Sequence, residues 1–202
     1  MKIICIGRNY IDHAKELSNP VPKEPLIFMK PKTAIPRNGN EFYIPEFSND
    51  IHYELELVLK IVKNGKHVAE KFASSYYEEI GLGIDFTARD VQNRCKEKGH
   101  PWEIAKAFDN SAIVGEFISK EDLDERNIDF KLTKNEEAVQ VGNSKDLIFS
   151  FDYLISYVSR YFTLNKGDLL YTGTPAGVGP VTIGDKLEGF IGNRSLLTCY
   201  IK

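Results

Sequence analysis

His52-Tyr53-Glu54-Leu55-Glu56-Leu57-Val58-Leu59-Lys60-Ile61-Val62 has the alternation of a strand and one anomalous face. Successive side chains point to opposite sides of a strand, so Tyr53, Leu55, Leu57, Leu59 and Ile61 share an apolar face. Glu54 and Glu56 share the other. A rise of about 3.3 Å per residue places these two glutamates roughly 6.5–7 Å apart at Cα. Carboxylates held that close and partly desolvated raise each other's pKa unless a cation lies between them. Hard oxygen ligands suit Mg²⁺ or Mn²⁺. A solvated strand face bearing two acids is the other reading of this segment, and taken alone the segment leaves both open.

Working outward, residues 2–6 read as a strand ending at Gly7, followed by a short helix over 10–17 that stops at Ser18-Asn19-Pro20. Residues 20–48 are proline-rich, with brief extended pieces at Leu26–Met29 and Phe42–Ile44. Asn64-Gly65 signals a hairpin after the glutamate strand. Ser74-Ser75 offers a cap for a short helix over 74–79. A buried strand at 80–85 runs into a helix over 87–97. Further strands are expected at 112–118, 128–133, 138–141, 168–172 and 195–201, with a helix from Ser150 to Phe162. Strands dominate without alternating regularly with helices, which indicates a β-rich α+β domain rather than a doubly wound parallel sheet.

The 202 residues, 42% apolar and 27% charged, suit one domain, taken here as 1–202. A net charge of −3 without long single-sign runs argues against nucleic acid or an anionic membrane as partner. Arg94 to Lys98, the densest basic stretch, reads as solvated surface. Cys5, Cys95 and Cys199 are far apart and odd in number, which fits a reducing compartment better than a disulfide framework. The four-residue apolar stretch before Gly7 is too short for a signal peptide, and no segment approaches the ~20 apolar residues of a membrane span. A cytoplasmic location is expected.

Asp85 adds a third acid, at the junction between the strand at 80–85 and the helix after it. Such an acid is commonly an N-cap. Thr87 can cap the helix itself, however, leaving Asp85 to join Glu54 and Glu56 around a divalent cation with positions left open for substrate.

Several motifs in order along the chain resemble the fumarylacetoacetate hydrolase superfamily. They are His52-Tyr53-Glu54-Leu55-Glu56-Leu57, Asp85-Phe86-Thr87-Ala88-Arg89-Asp90-Val91-Gln92, Ala105-Lys106-Ala107-Phe108-Asp109 and Thr172-Gly173-Thr174-Pro175-Ala176-Gly177-Val178-Gly179. Gly7-Arg8-Asn9-Tyr10-x-x-His13-x-x-Glu16 and Phe28-Met29-Lys30-Pro31 look like the short acylpyruvase branch, whose members often decarboxylate oxaloacetate. The resemblance implies a mixed β-sheet roll, usually a homodimer, with Mg²⁺ or Mn²⁺ held by Glu54, Glu56 and Asp85. It also implies catalytic roles for Lys106 and for the pair His13 and Glu16. Arg8, Lys30, Arg89, Gln92 and Thr174 are the expected substrate-binding residues.

Elementary chemistry gives each of these side chains a reading. His13 and Glu16, three apart on a helix, share a face, so the carboxylate can orient the imidazole and raise its basicity. The prolines around them predict a lid over residues 10–25 that closes on substrate. Lys106 reads either as a snorkelling surface lysine or as a cation aimed at an oxyanion. Arg89, with Gln92 on the same helix face, reads as a carboxylate contact or as a structural ion pair. His52 is either a neighbour of the metal or an ordinary strand-edge residue. The glycines at 173, 177 and 179 lack Walker or Rossmann spacing and form a tight loop suited to an anion.

The implied activity is metal-dependent hydrolysis of the C–C bond of short acylpyruvates (2,4-dioxo acids such as acetylpyruvate or fumarylpyruvate). His13 would activate the water, and a pyruvate enolate would leave, stabilised by the cation. Oxaloacetate decarboxylation needs the same enolate and no water. The alternatives are isomerisation or decarboxylation of longer dioxo acids from aromatic catabolism, and metal binding without turnover.

Overall fold

The computed structural model describes residues 1–16, 20–37 and 40–202. Fourteen strands are present among them: β1 (Ile3–Gly7), β2 (Leu26–Lys30), β3 (Glu41–Phe42), β4 (Ile51–Tyr53), β5 (Leu55–Ile61), β6 (Tyr77–Asp85), β7 (Thr87–Ala88), β8 (Ala112–Ser119), β9 (Asp129–Lys134), β10 (Glu137–Asn143), β11 (Leu169–Tyr171), β12 (Gly179–Pro180), β13 (Lys186–Ile191) and β14 (Arg194–Ile201). The helices are α1 (Ile11–Glu16), α2 (Arg89–Lys98), α3 (Glu103–Lys106) and α4 (Phe151–Tyr161). Strands form a six-stranded mixed sheet in the order β2-β1-β11-β5-β6-β8, a five-stranded sheet β10-β9-β13-β14-β3, and a small sheet β12-β4-β7. This is the β-rich mixed-sheet architecture expected from the sequence.

The two large sheets close over one core. Leu55, Leu57, Leu59 and Ile61 of β5 are buried there beside Leu82 and Ile84 of β6 and Leu187, Leu197 and Cys199 of the second sheet. Contact is so close at Gly189 that a Cβ would lie 3.1 Å from the Leu82 side chain. The opposite face of the six-stranded sheet packs Ile3, Cys5, Val58 and Tyr171 into a smaller cluster. Burying side chains of this size stabilises the fold by about 1.5–3 kcal/mol each.

The glutamate strand is interrupted. Residues 51–53 belong to the small sheet and residues 55–61 to the six-stranded sheet, so the chain changes sheets at Glu54. The backbone donor freed there is not orphaned, because Leu55 N–H donates to Gln140 Oε1 at 2.9 Å. Three other local expectations are corrected. Asn64-Gly65 makes no two-residue hairpin; β5 reaches its antiparallel neighbour β6 through a 3₁₀ segment, Glu70–Tyr76, and Gly65 instead pairs with Leu164. The helix expected over 74–79 is replaced by the end of that segment and the start of β6. Strand β13, which carries Gly189 and is followed by Gly192, was not expected. Its place is set by ladders to β9 and β14 rather than by local propensity.

The segment expected as a lid divides. Residues 10–16 form α1 and its approach, with His13 and Ala14 buried. Residues 17–19 lie outside the described residues. Tyr157 donates to Glu24 at 3.2 Å, tying the end of the segment to α4.

Candidate active site

Cross-strand register builds the acidic floor. In the β5–β6 pair Glu56 faces Gly83, and one step on Asp85 N–H donates to Glu54 O at 2.9 Å. Alternation therefore puts Glu54, Glu56 and Asp85 on one face. All three are buried, and one oxygen from each lies within 4.8 Å of the others. Thr87 does not cap the following helix. Residue Ala88 occupies the cap position, and the Thr87 hydroxyl accepts from Lys106 Nζ at 2.6 Å.

Three cations surround the floor. Lys106 Nζ donates to Glu54 at 2.8 Å and to Asp85 at 2.6 Å, which with Thr87 accounts for all three of its protons. Arg89 donates to Glu54 Oε1 at 2.6 Å and to Gln92 Oε1 at 2.8 Å. The nitrogen of Lys30 stands 2.7 Å from Asp85 Oδ1. The snorkelling reading of Lys106 is thereby corrected: it is buried, lines the cavity and holds the carboxylates. Lys30 is corrected too. It is fully buried behind Asp85, donates to the carbonyls of Lys106 and Ser111 and to the Ser111 hydroxyl, and does not line the cavity. For Arg89 the ion pair is realised, on Glu54, and the side chain also faces the cavity.

The electrostatics separate the two glutamates. Burial opposes ionisation of Glu54, but the charges of Lys106 and Arg89 outweigh it and hold this carboxyl well below its ordinary range. Burial, followed by the neighbouring charges of Asp85 and Glu54, pushes Glu56 well above that range. Its hydrogen bond comes from Gly173 N–H at 2.6 Å. Gly173 has φ +104° and its Cβ position would sit 2.7 Å from Asn9 Cβ, so only glycine lets that N–H reach the carboxylate.

A hard divalent cation fits this donor set. Three buried carboxylates converge, and Asp85 Oδ1 has an ionic neighbour in Lys30 but no aligned hydrogen-bond donor. That leaves a lone pair for Mg²⁺ or Mn²⁺. Among the described residues this acidic trio is the only group of three or more His, Cys, Asp and Glu ligands placed to hold a metal.

Above the floor lies a cavity of about 390 Å³, open solvent at its mouth included. Its walls bring together Arg8, His13, Arg89, Gln92, Lys106 and Thr174 with the three acids. His13 Nδ1 is 3.3 Å from Glu16 Oε2, and Glu16 Oε1 accepts from Gly177 N–H at 3.0 Å, anchoring the pair to the glycine loop. Burial lowers the His13 pKa, against the opposing pull of Glu54 and Glu16, so the imidazole is neutral near pH 7. Thr174 Oγ1 accepts from Gln140 Nε2 at 2.8 Å. His52 pairs with Asp50 at 2.9 Å, sits mid-strand in β4 between Pro180 and Thr87 rather than at a strand edge, and does not line the cavity.

Sequence reasoning gave no site role to several wall residues and to one support. Phe28, Trp102 and Lys96 line the cavity, and Gln140 ties β10 to both β5 and the Thr174 loop. Lys96 carried a legible signal. It lies seven residues after Arg89 and four after Gln92, on the same helix face, within a stretch that otherwise reads as solvated surface.

The fumarylacetoacetate (FAA) hydrolase C-terminal family matches residues 2–202. The chain belongs to that family. Within it, the chain is 43% identical over 190 residues to the mitochondrial oxaloacetate tautomerase FAHD1 of Homo sapiens, covering 94% of this chain and 86% of that one. It is 39% identical to the oxaloacetate tautomerase YcgM of Escherichia coli, covering 98% and 91%. A crystal structure of the fumarylpyruvate hydrolase of Pseudomonas aeruginosa with Mn²⁺ and pyruvate superposes with a TM-score of 0.92 at 36% identity, over 100% of this chain and 89% of that one. These relatives bear out the branch of the family that the motifs indicated.

Proposed function

We propose that this protein enolises short 2-oxo acids at C3, with tautomerisation of oxaloacetate as its principal reaction and Mg²⁺ or Mn²⁺ held by Glu54, Glu56 and Asp85. The observation that carries the reading is a buried His13, its Nδ1 turned to Glu16, in the same cavity as the three converging carboxylates. When bound, the cation supplies electrophilic stabilisation of negative charge developing on the 2-oxo oxygen. Arg89, Gln92 and Thr174 orient the substrate's 1-carboxylate. His13, with Nδ1 turned to Glu16, presents Nε2 as base, removes a C3 proton and can return it to oxygen. Lys106 and Lys30 hold the acidic floor in place while charge moves. The names of the relatives from Homo sapiens and Escherichia coli support this reaction.

Acylpyruvate hydrolysis is a second reading, favoured by the likeness to the fumarylpyruvate hydrolase. There His13 would take a proton from water as the oxygen adds to C4, the C3–C4 bond would break, and a carboxylic acid and the enol of pyruvate would leave. We further propose a homodimer in a reducing, cytoplasmic setting, consistent with three buried free cysteines and testable by sedimentation. No described helix is long and apolar enough to cross a membrane.

The deciding experiment follows enol-oxaloacetate decay, pyruvate release from oxaloacetate, and cleavage of acetylpyruvate and fumarylpyruvate, each with and without Mn²⁺. Tautomerisation without stoichiometric pyruvate supports the first reading. Cleavage faster than tautomerisation supports the second, and no Mn²⁺-dependent change in any substrate overturns both.

A further inference from the structure

The cations of the cavity divide into a paired floor and an unpaired wall. Glu54 and Asp85 meet three cations, Lys30, Lys106 and Arg89, while Glu56 takes a hydrogen bond from Gly173 N–H. Arg8 and Lys96 line the same cavity, and neither forms an ion pair among the described residues. Both are partly withdrawn from water. Burial, then the nearby charges of Arg89 and Arg8, pushes the Lys96 pKa down to about 8, and burial lowers that of Arg8. Two cations without an ion-pair partner on one partly desolvated cavity wall favour the binding of an anion there.

Backbone and packing aim both residues. Arg8 has φ 60°, a left-handed conformation that residues with side chains rarely adopt. Asn9 immediately after it is clamped by hydrogen bonds to Phe149 O at 3.0 Å, Thr172 O at 2.8 Å and Phe149 N–H at 2.8 Å. The chain is thus held in the turn that presents Arg8 to the cavity. Lys96 rides on α2 one turn beyond Gln92, with its ammonium 5.7 Å from the centroid of the Trp102 ring. Trp102 lines the cavity as well and forms the apolar backing for that cation.

We propose that Lys96, with Arg8, binds the distal carboxylate of a 2-oxo dicarboxylate and sets the enzyme's preference for such substrates over neutral-tailed 2-oxo acids. The inference rests on the enolisation reading for its substrate class and deepens it. The 1-carboxylate and 2-oxo group take the acidic end, and the C4 carboxylate takes the Lys96 end.

The test compares oxaloacetate with acetylpyruvate, in which a neutral acetyl group replaces the distal carboxylate. Lys96→Met should lower kcat/KM for oxaloacetate tautomerisation roughly 10- to 100-fold, the range for losing one charge-assisted hydrogen bond. Enolisation of acetylpyruvate should change by less than about 3-fold, and Lys96→Arg should retain most of the wild-type ratio between the two substrates. Equal losses on both substrates, or none on either, would overturn the assignment. Calorimetry on the Mn²⁺-loaded protein judges the site without turnover, using malate and 2-hydroxybutyrate, which differ only in a distal carboxylate against a methyl group. Wild type should prefer malate and Lys96→Met should not. If wild type turns over neither 2-oxo acid, the proposed activity fails while a lost malate preference still supports the site; equal affinities in wild type sink it.

Discussion

The β5–β6 strand pair carries ion pairs at both of its ends, and the two ends are unlike. At one end Lys60 meets Glu79 at 2.6 Å, with side chains 45% and 39% exposed. At the other, Glu54 and Asp85 meet Lys106 and Lys30 at 2.6–2.8 Å, with side chains at most 7% exposed. The pairing chemistry is the same, but the exposed pair gains little in water, whereas the buried group pays a large desolvation cost. A fold seeking stability alone does better with apolar side chains at the buried end. What the buried end provides is a fixed set of oxygens under a cavity. The difference teaches that charge buried at a strand end marks function, and charge exposed at a strand end does not.

The sharpest way to break the comparison is to remove a cation from the buried end. Lys30→Met keeps the volume but strips Asp85 of its rear counter-charge. The expected loss is about 3–5 kcal/mol of stability, the range for breaking a buried pair. Urea unfolding of the variant measures it, and a loss under about 1 kcal/mol would place this pair in the same class as Lys60–Glu79.

The next effect is kinetic. His13→Ala should lower kcat/KM for oxaloacetate by about 10²–10⁴-fold, the usual general-base contribution. Because burial depresses the His13 pKa, the acid limb of kcat/KM should fall below the ordinary imidazole value of about 6.5. The sign for Glu16→Gln follows. Glu16 raises the His13 pKa, so removing its charge moves that limb to lower pH while also reducing the plateau. A limb that moves upward, or stays in place, would separate Glu16 from the base. The same shift bears on folding. Below about pH 6.5 the unfolded chain takes up a proton that folded His13 does not, so stability falls as pH drops toward the lowered native value.

Much of this site was legible because its parts are local. Glu54 and Glu56 follow from strand alternation, Asp85 from the end of the next strand, and His13 and Glu16 from helix spacing. Motif order supplied Lys106 and Arg89. The errors arose where a partner distant in sequence decides. Lys30 sits in an extended segment like any surface lysine until β1 and β2 carry it behind Asp85. The sheet change at Glu54 depends on Gln140 accepting from Leu55 N–H, across 85 residues of sequence. Strand β13 is interrupted by Gly189 and closely followed by Gly192, and its ladders to β9 and β14 make it a strand. Lys96 is the exception, since its helical spacing from Arg89 and Gln92 was in plain view.

Metal loading sharpens the contrast from the other side. A ligand that binds only the folded state at about 100 times its Kd adds about 2.7 kcal/mol. For a domain of this size that corresponds to a rise in Tm of roughly 5–10 °C. Mn²⁺ should produce such a rise in wild type and not in Asp85→Ala. An equal rise in both proteins would remove Asp85 from the ligand set and place the cation elsewhere.

The smallest effect belongs to the exposed end. Lys60 is held 2.6 Å from Glu79 and lies 5.5 Å from the centroid of the Phe117 ring, so on distance alone it looks as well partnered as Lys106. Water solvates both charges, however, and salt screens what attraction remains. Lys60→Met should therefore change stability by less than about 1 kcal/mol, and raising NaCl should shrink even that difference. The proposed turnover of oxaloacetate and the Mn²⁺-induced rise in Tm should be unchanged. Urea unfolding at two salt concentrations checks this directly. A loss near that expected for Lys30→Met, insensitive to salt, would mean that exposure fails to separate the two ends and that strand-pair geometry sets the strength of both.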